Sequence, residues 1–179
     1  MRTVLKGKRI ILRKLKPSDA SSIAKYANDK GVYRYTLRIP YPYKLKDAKD
    51  FIKITNKEWK KGTKYRFGIV FNKEVIGTIS LEDIKQDHKK AELGYWIGRP
   101  FWGKGITSEA VHLILDFAFN DLKLNRISAY TFTPNKASQK VLLKNGFKKE
   151  GLVRENVQKD GKFYDDYVFG LLKKEYKKK

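Results

Sequence analysis

Gly98-Arg99-Pro100-Phe101-Trp102-Gly103-Lys104-Gly105-Ile106-Thr107-Ser108-Glu109-Ala110 carries the strongest local signal in the chain. Two glycines one residue apart allow backbone conformations closed to other residues and let a ligand come close to the main chain. Behind them Ile106, Ala110, Leu113, Ile114, Phe117 and Ala118 form one apolar stripe, which predicts a helix over 106–121. A helix start aims unpaired N–H groups and a partial positive charge at whatever precedes it, so the turn suits an anion. A tight strand-to-helix turn with no ligand accounts for the same residues, and on this stretch alone the two readings stand level.

Working outward, 91–97 reads as the strand feeding this turn and 126–133 as the strand leaving the helix. Tyr65 to Phe71 and Val75 to Ile84, joined by Asn72-Lys73-Glu74, read as an antiparallel hairpin. On the N-terminal side, 9–15 predicts a first strand, and Pro17 opens a helix to about Asn28. The prolines of Thr36-Leu37-Arg38-Ile39-Pro40-Tyr41-Pro42-Tyr43 forbid a helix there. A second helix follows over 46–61, with Ala48, Phe51, Ile52, Thr55 and Trp59 on one face. Downstream, 135–145 predicts a short helix closed by Gly146, and two last strands flank Asp160-Gly161. The order β, α, α, β, β, β, α, β, α, β, β describes an α+β fold on a mostly antiparallel sheet with one β–α–β crossover. No repeat or composition break divides it, so 1–179 is expected to be one domain.

Composition narrows the chemistry. The chain has 179 residues, no cysteine and 2 histidines, His88 and His112, which excludes a disulfide framework, a cysteine nucleophile and a thiolate metal site, and leaves little for a His-based triad or zinc site; no metal is expected. No run reaches the roughly 18 apolar residues of a spanning helix, and the first residues lack the apolar region of a signal peptide. No membrane association and a cytoplasmic location are therefore expected, as a monomer or a homodimer. The net charge of +22 attracts polyanions, and RNA or the ribosome is a candidate partner. Yet the lysines are spread along the chain, apart from the basic tail 173–179, and most are read as solvated surface. A Lys-rich chain without cysteine also suits heat stability.

Trp102-Gly103-Lys104-Gly105-Ile106-Thr107 resembles the pyrophosphate-binding motif of the GNAT superfamily of acetyltransferases, written Gln/Arg-x-x-Gly-x-Gly/Ala. Gly105 fills the fourth position, while Trp102 and Thr107 depart from the first and last. A Trp-Gly-x-Gly sequence is common at this place in the branch around the ribosomal-protein N-terminal alanine acetyltransferases. Asn135-Lys136-Ala137-Ser138, continuing to Gly146-Phe147, is similar to the Asn-x-x-Ser…Gly-Phe segment that follows the next strand in that family. With Ile39–Tyr43, Val75–Ile79 and Glu92–Ile97, the resemblance spans about residues 8–172.

The resemblance implies a GNAT-like twisted sheet with helices on both faces, acetyl-CoA as co-substrate, and direct attack of an amine on the thioester, for which no cysteine is needed. It implies cofactor contacts from Trp96, Ile97, Gly98, Trp102, Gly103, Lys104, Gly105, Ile106, Thr107, Asn135 and Ser138. Backbone N–H groups of 103–107 meet the pyrophosphate, with Lys104 adding charge. Ser138 is the hydrogen-bond donor to the departing thiolate, because Leu142 replaces the tyrosine of many relatives. Chain order makes Glu92 and Glu155 the base candidates; a solvated strand residue is an equal reading of Glu92. N–H groups around Trp96 to Gly98, freed by a bulge, are expected to receive the oxyanion. Tyr41 and Tyr43 are either acceptor contacts or core aromatics under the loop. Asp165 and Asp166 read first as strand-end residues and second as acids that meet a cationic amine. The implied acceptor is a protein N-terminal α-amine, as of a ribosomal protein, with polyamines or other small amines as an alternative. An RNA-associated module that keeps the fold without turnover is the reading of another class.

Overall fold

The computed structural model describes residues 1–177; the last two lysines of the basic tail lie outside the described residues. Its centre is one eight-stranded sheet: β1 (Val4–Lys6), β2 (Ile11–Arg13), β3 (Tyr65–Phe71), β4 (Glu74–Lys85), β5 (Lys90–Ile97), β6 (Arg126–Phe132), β7 (Lys148–Lys159) and β8 (Lys162–Leu172). The spatial order is β1-β2-β3-β4-β5-β6-β8-β7. Every neighbouring pair is antiparallel except β5 and β6, which the crossover helix α4 (Ile106–Asp116) joins in parallel. The sheet, its crossover and its two-residue turns at Asn72-Lys73 and Asp160-Gly161 match the expected α+β fold; all four turn residues have positive φ, as turns that follow the twist of paired strands require.

Two cores lie on opposite faces. On one, Phe67, Ile79, Leu81, Ile114, Phe117 and Phe119 are fully buried between the sheet and α4, and edge-to-face contacts of Phe67 with Phe117 (5.3 Å) and with Trp59 (4.7 Å) lock the layers. Each such pair contributes roughly 0.5–1.5 kcal/mol beyond the area it buries. On the other face α1 (Ala20–Ala27) and α3 (Leu45–Lys61) enclose Ile23, Tyr43, Ala48 and Ile52, while Trp59 near the end of α3 joins the first core. The predicted face of α3 is the buried one, with Phe51 half-buried at its margin.

Several boundaries moved. The first expected strand, 9–15, shrinks to Ile11–Arg13 and gains a partner, β1, too short to show a period. Pro17–Asp19 is a 3₁₀ turn ahead of α1. A further helix, α2 (Lys30–Arg34), starts at Asp29, whose carboxylate accepts from the amides of Gly31 and Val32. The crossover helix is α-helical only to Asp116; 117–121 widens to a π turn closed by Leu122 N–H on the Phe117 carbonyl (3.1 Å). At its end Asp121 and Asp116 pair with Arg2, tying the N-terminal arm beneath the sheet. The last helix, α5 (Lys136–Lys144), is capped by Asn135, whose side chain accepts from Ser138 N–H (3.2 Å), and closed by Gly146 at φ +88°.

Candidate active site

β5 pairs with β4 along its length, but its ladder to β6 covers only Lys90–Glu92 against Arg126–Ser128. β6 meanwhile stays paired to β8 through Phe132. Two firmly paired sets of strands therefore diverge from a three-residue parallel junction and leave a slot. Alternation then decides which amides face it. Gly98 N–H is spent on the Ile76 carbonyl (2.8 Å), so the amide of Trp96 also points to β4, and those of Tyr95 and Ile97 point into the slot. No bulge interrupts β5 at 96–98. The expected oxyanion donors are thus corrected: the Trp96 and Gly98 amides are committed to the sheet, Ile97 is free, and Tyr95 joins it.

The turn after β5 shows the features of an anion cradle. Gly103 and Gly105 sit at φ +73° and +74°, where side-chain-bearing residues are strained. A Cβ on Gly103 would meet nothing within 4 Å. Arg9 holds the Lys104 carbonyl (2.9 Å) and pairs with Glu109 (2.9 Å), so the trans peptide turns Gly105 N–H the opposite way. No side chain caps α4, and its first internal bond is Glu109 N–H to the Gly105 carbonyl (3.1 Å). The amides of Ile106, Thr107 and Ser108 are therefore left for a ligand. Ile106 itself is buried, so any contact from it is through its amide. Trp102 folds back between Gly31 and the open strand edge, its indole N–H donating to the Ile97 carbonyl (2.8 Å), which leaves it no donor for phosphate. Lys104 lies over the Phe101 ring outside the cleft; Lys140 and Lys144 of α5, which the sequence did not single out, line it.

A single cleft of about 1020 Å³ runs from this turn through the slot to the loop 36–43. Strand parity sorts its chemistry by face. Tyr95 and Ser138 meet on the α4 and α5 side: the Tyr95 hydroxyl lies 2.8 Å from Ser138 Oγ, and burial raises its phenol pKa, a shift the Ser138 contact opposes. The sequence offered Ser138 but gave no signal for Tyr95, because nothing local says that a strand residue reaches across to α5. On the opposite face Glu82 and Glu92 are direct cross-strand partners. Despite burial, Glu82 is held down to about 2 by Arg66 (2.6 Å), with Lys64 and Arg38 (3.0 Å) also in contact. The Glu92 carboxylate has no hydrogen-bond or ion-pair partner among the described residues, and burial, with the charge of Glu82, pushes it upward against the opposing charge of Arg38.

The far wall is the loop 36–43. Lys159, at the end of β7, donates its ammonium to the carbonyls of Tyr33 and Thr36, and Arg38 ties the loop to Glu82. Tyr43 lines the cleft beneath the loop, 8% exposed, its phenol pushed up to about 12 by burial. Tyr41 does not: it is 42% exposed and leans on Tyr33 (5.8 Å) away from the cleft. Glu155 is also outside. It occupies a β7 irregularity at φ +48°, exposed, with its amide bonded to Asp165 (2.8 Å), because the register shift between Val153 and Val157 turns it outward. Asn156 and Asp166 line the cleft instead. Among the described residues no group of three or more His, Asp or Glu is placed to hold a metal, and no helix is long and apolar enough to cross a membrane.

Residues 9–148 match the model of the acetyltransferase (GNAT) domain. A Bacillus licheniformis protein named uncharacterized N-acetyltransferase p20 is 39% identical over 170 residues, covering 94% of this chain and 95% of that one. The Escherichia coli (strain K12) [ribosomal protein uS5]-alanine N-acetyltransferase is 30% identical over 119 residues, 65% of this chain and 61% of that one. A crystal structure described as a probable acetyltransferase superposes with TM-score 0.90 at 28% identity, covering 97% of this chain and 98% of that one.

Proposed function

This chain belongs to the GNAT acetyltransferase family, and from that premise we propose that it acetylates the N-terminal α-amine of a protein, a ribosomal protein first among candidates. That it is an acetyl-CoA-dependent N-acetyltransferase follows from the family and sets aside the module without turnover. The proposal takes 1–179 as one catalytic unit working in the cytoplasm. Its acceptor is supported by the similarity to the uS5-alanine enzyme and by chemistry. An α-amine has an ordinary pKa of roughly 7.7–8.0, so part of it is already nucleophilic at neutral pH, whereas a lysine amine at ~10.4 is almost wholly protonated there and asks more of the base.

The observation that carries the mechanism is the slot, with an unpartnered carboxylate on one face and a paired hydroxyl and phenol on the other. Acetyl-CoA supplies an activated acyl group: the C–N bond forms as the C–S bond breaks, and the net proton passes from nitrogen to sulfur. Gly103 leaves room for the pyrophosphate, and the amides of 105–108 hold it at the helix start. The amides of Tyr95 and Ile97 hydrogen-bond the carbonyl oxygen as it gains charge. Glu92 accepts the proton from the amine, in preference to Glu155. Ser138, backed by Tyr95, donates to the departing sulfur. Holding the two reactants in line supplies much of the acceleration, on the order of 7–11 kcal/mol in favourable intramolecular cases.

The test is a panel of Ala- and Ser-starting peptides, the same peptides with blocked N-termini and an internal lysine, and polyamines, each incubated with acetyl-CoA while free thiol is followed. Turnover confined to free N-termini supports the proposal; turnover of polyamines alone overturns the acceptor assignment.

A further inference from the structure

Asp166 is 3% exposed, yet it lines the cleft. Its Oδ2 accepts from the Asn156 amide (2.8 Å), while Oδ1 is buried with no hydrogen-bond partner. A buried carboxylate oxygen left bare is costly and is tolerated where a ligand completes it. Burial keeps this acid above the ordinary aspartate range, Asn156 opposing and Asp165 adding to the shift.

Register puts Asp166 on the acceptor side of the sheet. Glu92 pairs with Ser128, Phe132 pairs with Asp166, and Ser128, Tyr130 and Phe132 share one face of β6. Glu92 and Asp166 therefore open to the same face, close enough for each charge to be felt: Asp166 is among the groups that push Glu92 upward. The cations of this region are engaged elsewhere. Arg66, Lys64 and Arg38 hold Glu82, and Lys159 is spent on the Tyr33 and Thr36 carbonyls. In a chain of net charge +22, the acceptor end of the cleft thus holds two carboxylates that no cation pairs directly, while Arg38, Arg66 and Lys64 line the same cleft in the hold of Glu82.

Resting on the acceptor assignment above, we propose that Asp166 is the anchor for the acceptor's ammonium: Oδ1 receives one N–H of the primary ammonium, and Glu92, four β6 residues away on the same face, takes the proton through water. This assigns the pocket a ligand class, a cationic primary amine on a first residue without a carboxylate side chain. An acidic first residue would bring a third carboxylate into the same cup and be disfavoured.

The experiment compares wild type with D166N, in which the amide oxygen can still accept from Asn156. With an Ala-starting peptide, KM should rise at least tenfold while kcat stays within about threefold, because the anchor acts on binding and Glu92 remains. The dissociation constant for acetyl-CoA should stay unchanged and the thermal midpoint should be unchanged or higher, since a buried charge is removed, and discrimination against an Asp-starting peptide should shrink. An unchanged KM overturns the proposal, as does an equal loss in every measured quantity. Should D166N not fold, calorimetry on the wild-type protein with CoA decides: the Ala-starting peptide should bind at least tenfold tighter than its propionyl counterpart, which lacks only the ammonium, and equal binding overturns the proposal. If only small amines turn over, the protein acceptor fails, while the D166N effect on KM for that amine still tests the anchor alone.

Discussion

Tyr95→Phe and Ser138→Ala, alone and together, probe the proposed donor to sulfur. The Tyr95 hydroxyl is 2.8 Å from Ser138 Oγ in the wall of the slot. If Ser138 donates to a sulfur that gains negative charge, it must accept from Tyr95, and removing either member weakens a hydrogen bond to a charged group. Such bonds are worth about 1.5–3 kcal/mol, so each single variant should lose roughly 10- to 150-fold in kcat, at about tenfold per 1.4 kcal/mol. The ground state loses less: Ser138 Oγ faces the cleft, where water can replace the phenol, so stability should change by no more than about 1 kcal/mol. The informative quantity is the coupling. In a chain of two groups serving one atom, Tyr95→Phe in the Ser138→Ala background should cost less than about threefold, since there is no longer a donor to polarise. Single-turnover release of thiol, read with a chromogenic disulfide across the four proteins, measures this directly. Full multiplicative losses would show two independent roles, and an undiminished kcat in Tyr95→Phe would remove the pair from the mechanism.

Glu92 should set the acid limb of kcat/KM. Its carboxyl is raised by burial and by Glu82, and it takes a proton only when ionised, so the rate should fall on acidification at a pH above the ordinary glutamate range and Glu92→Gln should abolish that limb. A carboxyl that holds its proton more tightly folded than unfolded loses stability as pH rises through that window, so Glu92→Gln should be neutral or stabilising at pH 7; a marked destabilisation in urea titrations would contradict its unpartnered state. Glu82 has the opposite sign. Held down to about 2, it contributes stability above its unfolded pKa of roughly 4.3, about 2–3 kcal/mol by linkage, which is lost as pH falls toward 2. Urea midpoints of Glu82→Gln should therefore lie below wild type at pH 7 and converge with it near pH 2. Gly105→Val forces a β-branched residue to φ +74°, a strain of about 1–2 kcal/mol or more, in the turn that aims the helix amides. Calorimetry should find acetyl-CoA binding at least tenfold weaker with the sheet intact; equal affinity would discard the phosphate cradle.

The sequence by itself determined the order of the longer elements, the hairpin turns and the glycine turn ahead of α4, because period, proline and glycine act through local sterics. It also held enough of two family motifs to point to Ser138, while chain order offered Glu92 beside Glu155. What it could not hold was parity between strands distant in the chain. Whether a backbone N–H points into the slot or into the sheet depends on strand parity and on where the β5 and β6 ladder stops, and that removed Trp96 and Gly98, kept Ile97 and added Tyr95. A register shift in β7 turned Glu155 out and left Asn156 facing in, and the loop packing separated Tyr41 from Tyr43. β1 and α2, three and five residues long, have no period of their own: β1 exists through its pairing with β2, and α2 rests on the Asp29 cap. Local chemistry thus chose the elements, while the long-range pairing of strands, in which a one-residue offset reverses every side chain and amide, decided which of their atoms meet in the cleft.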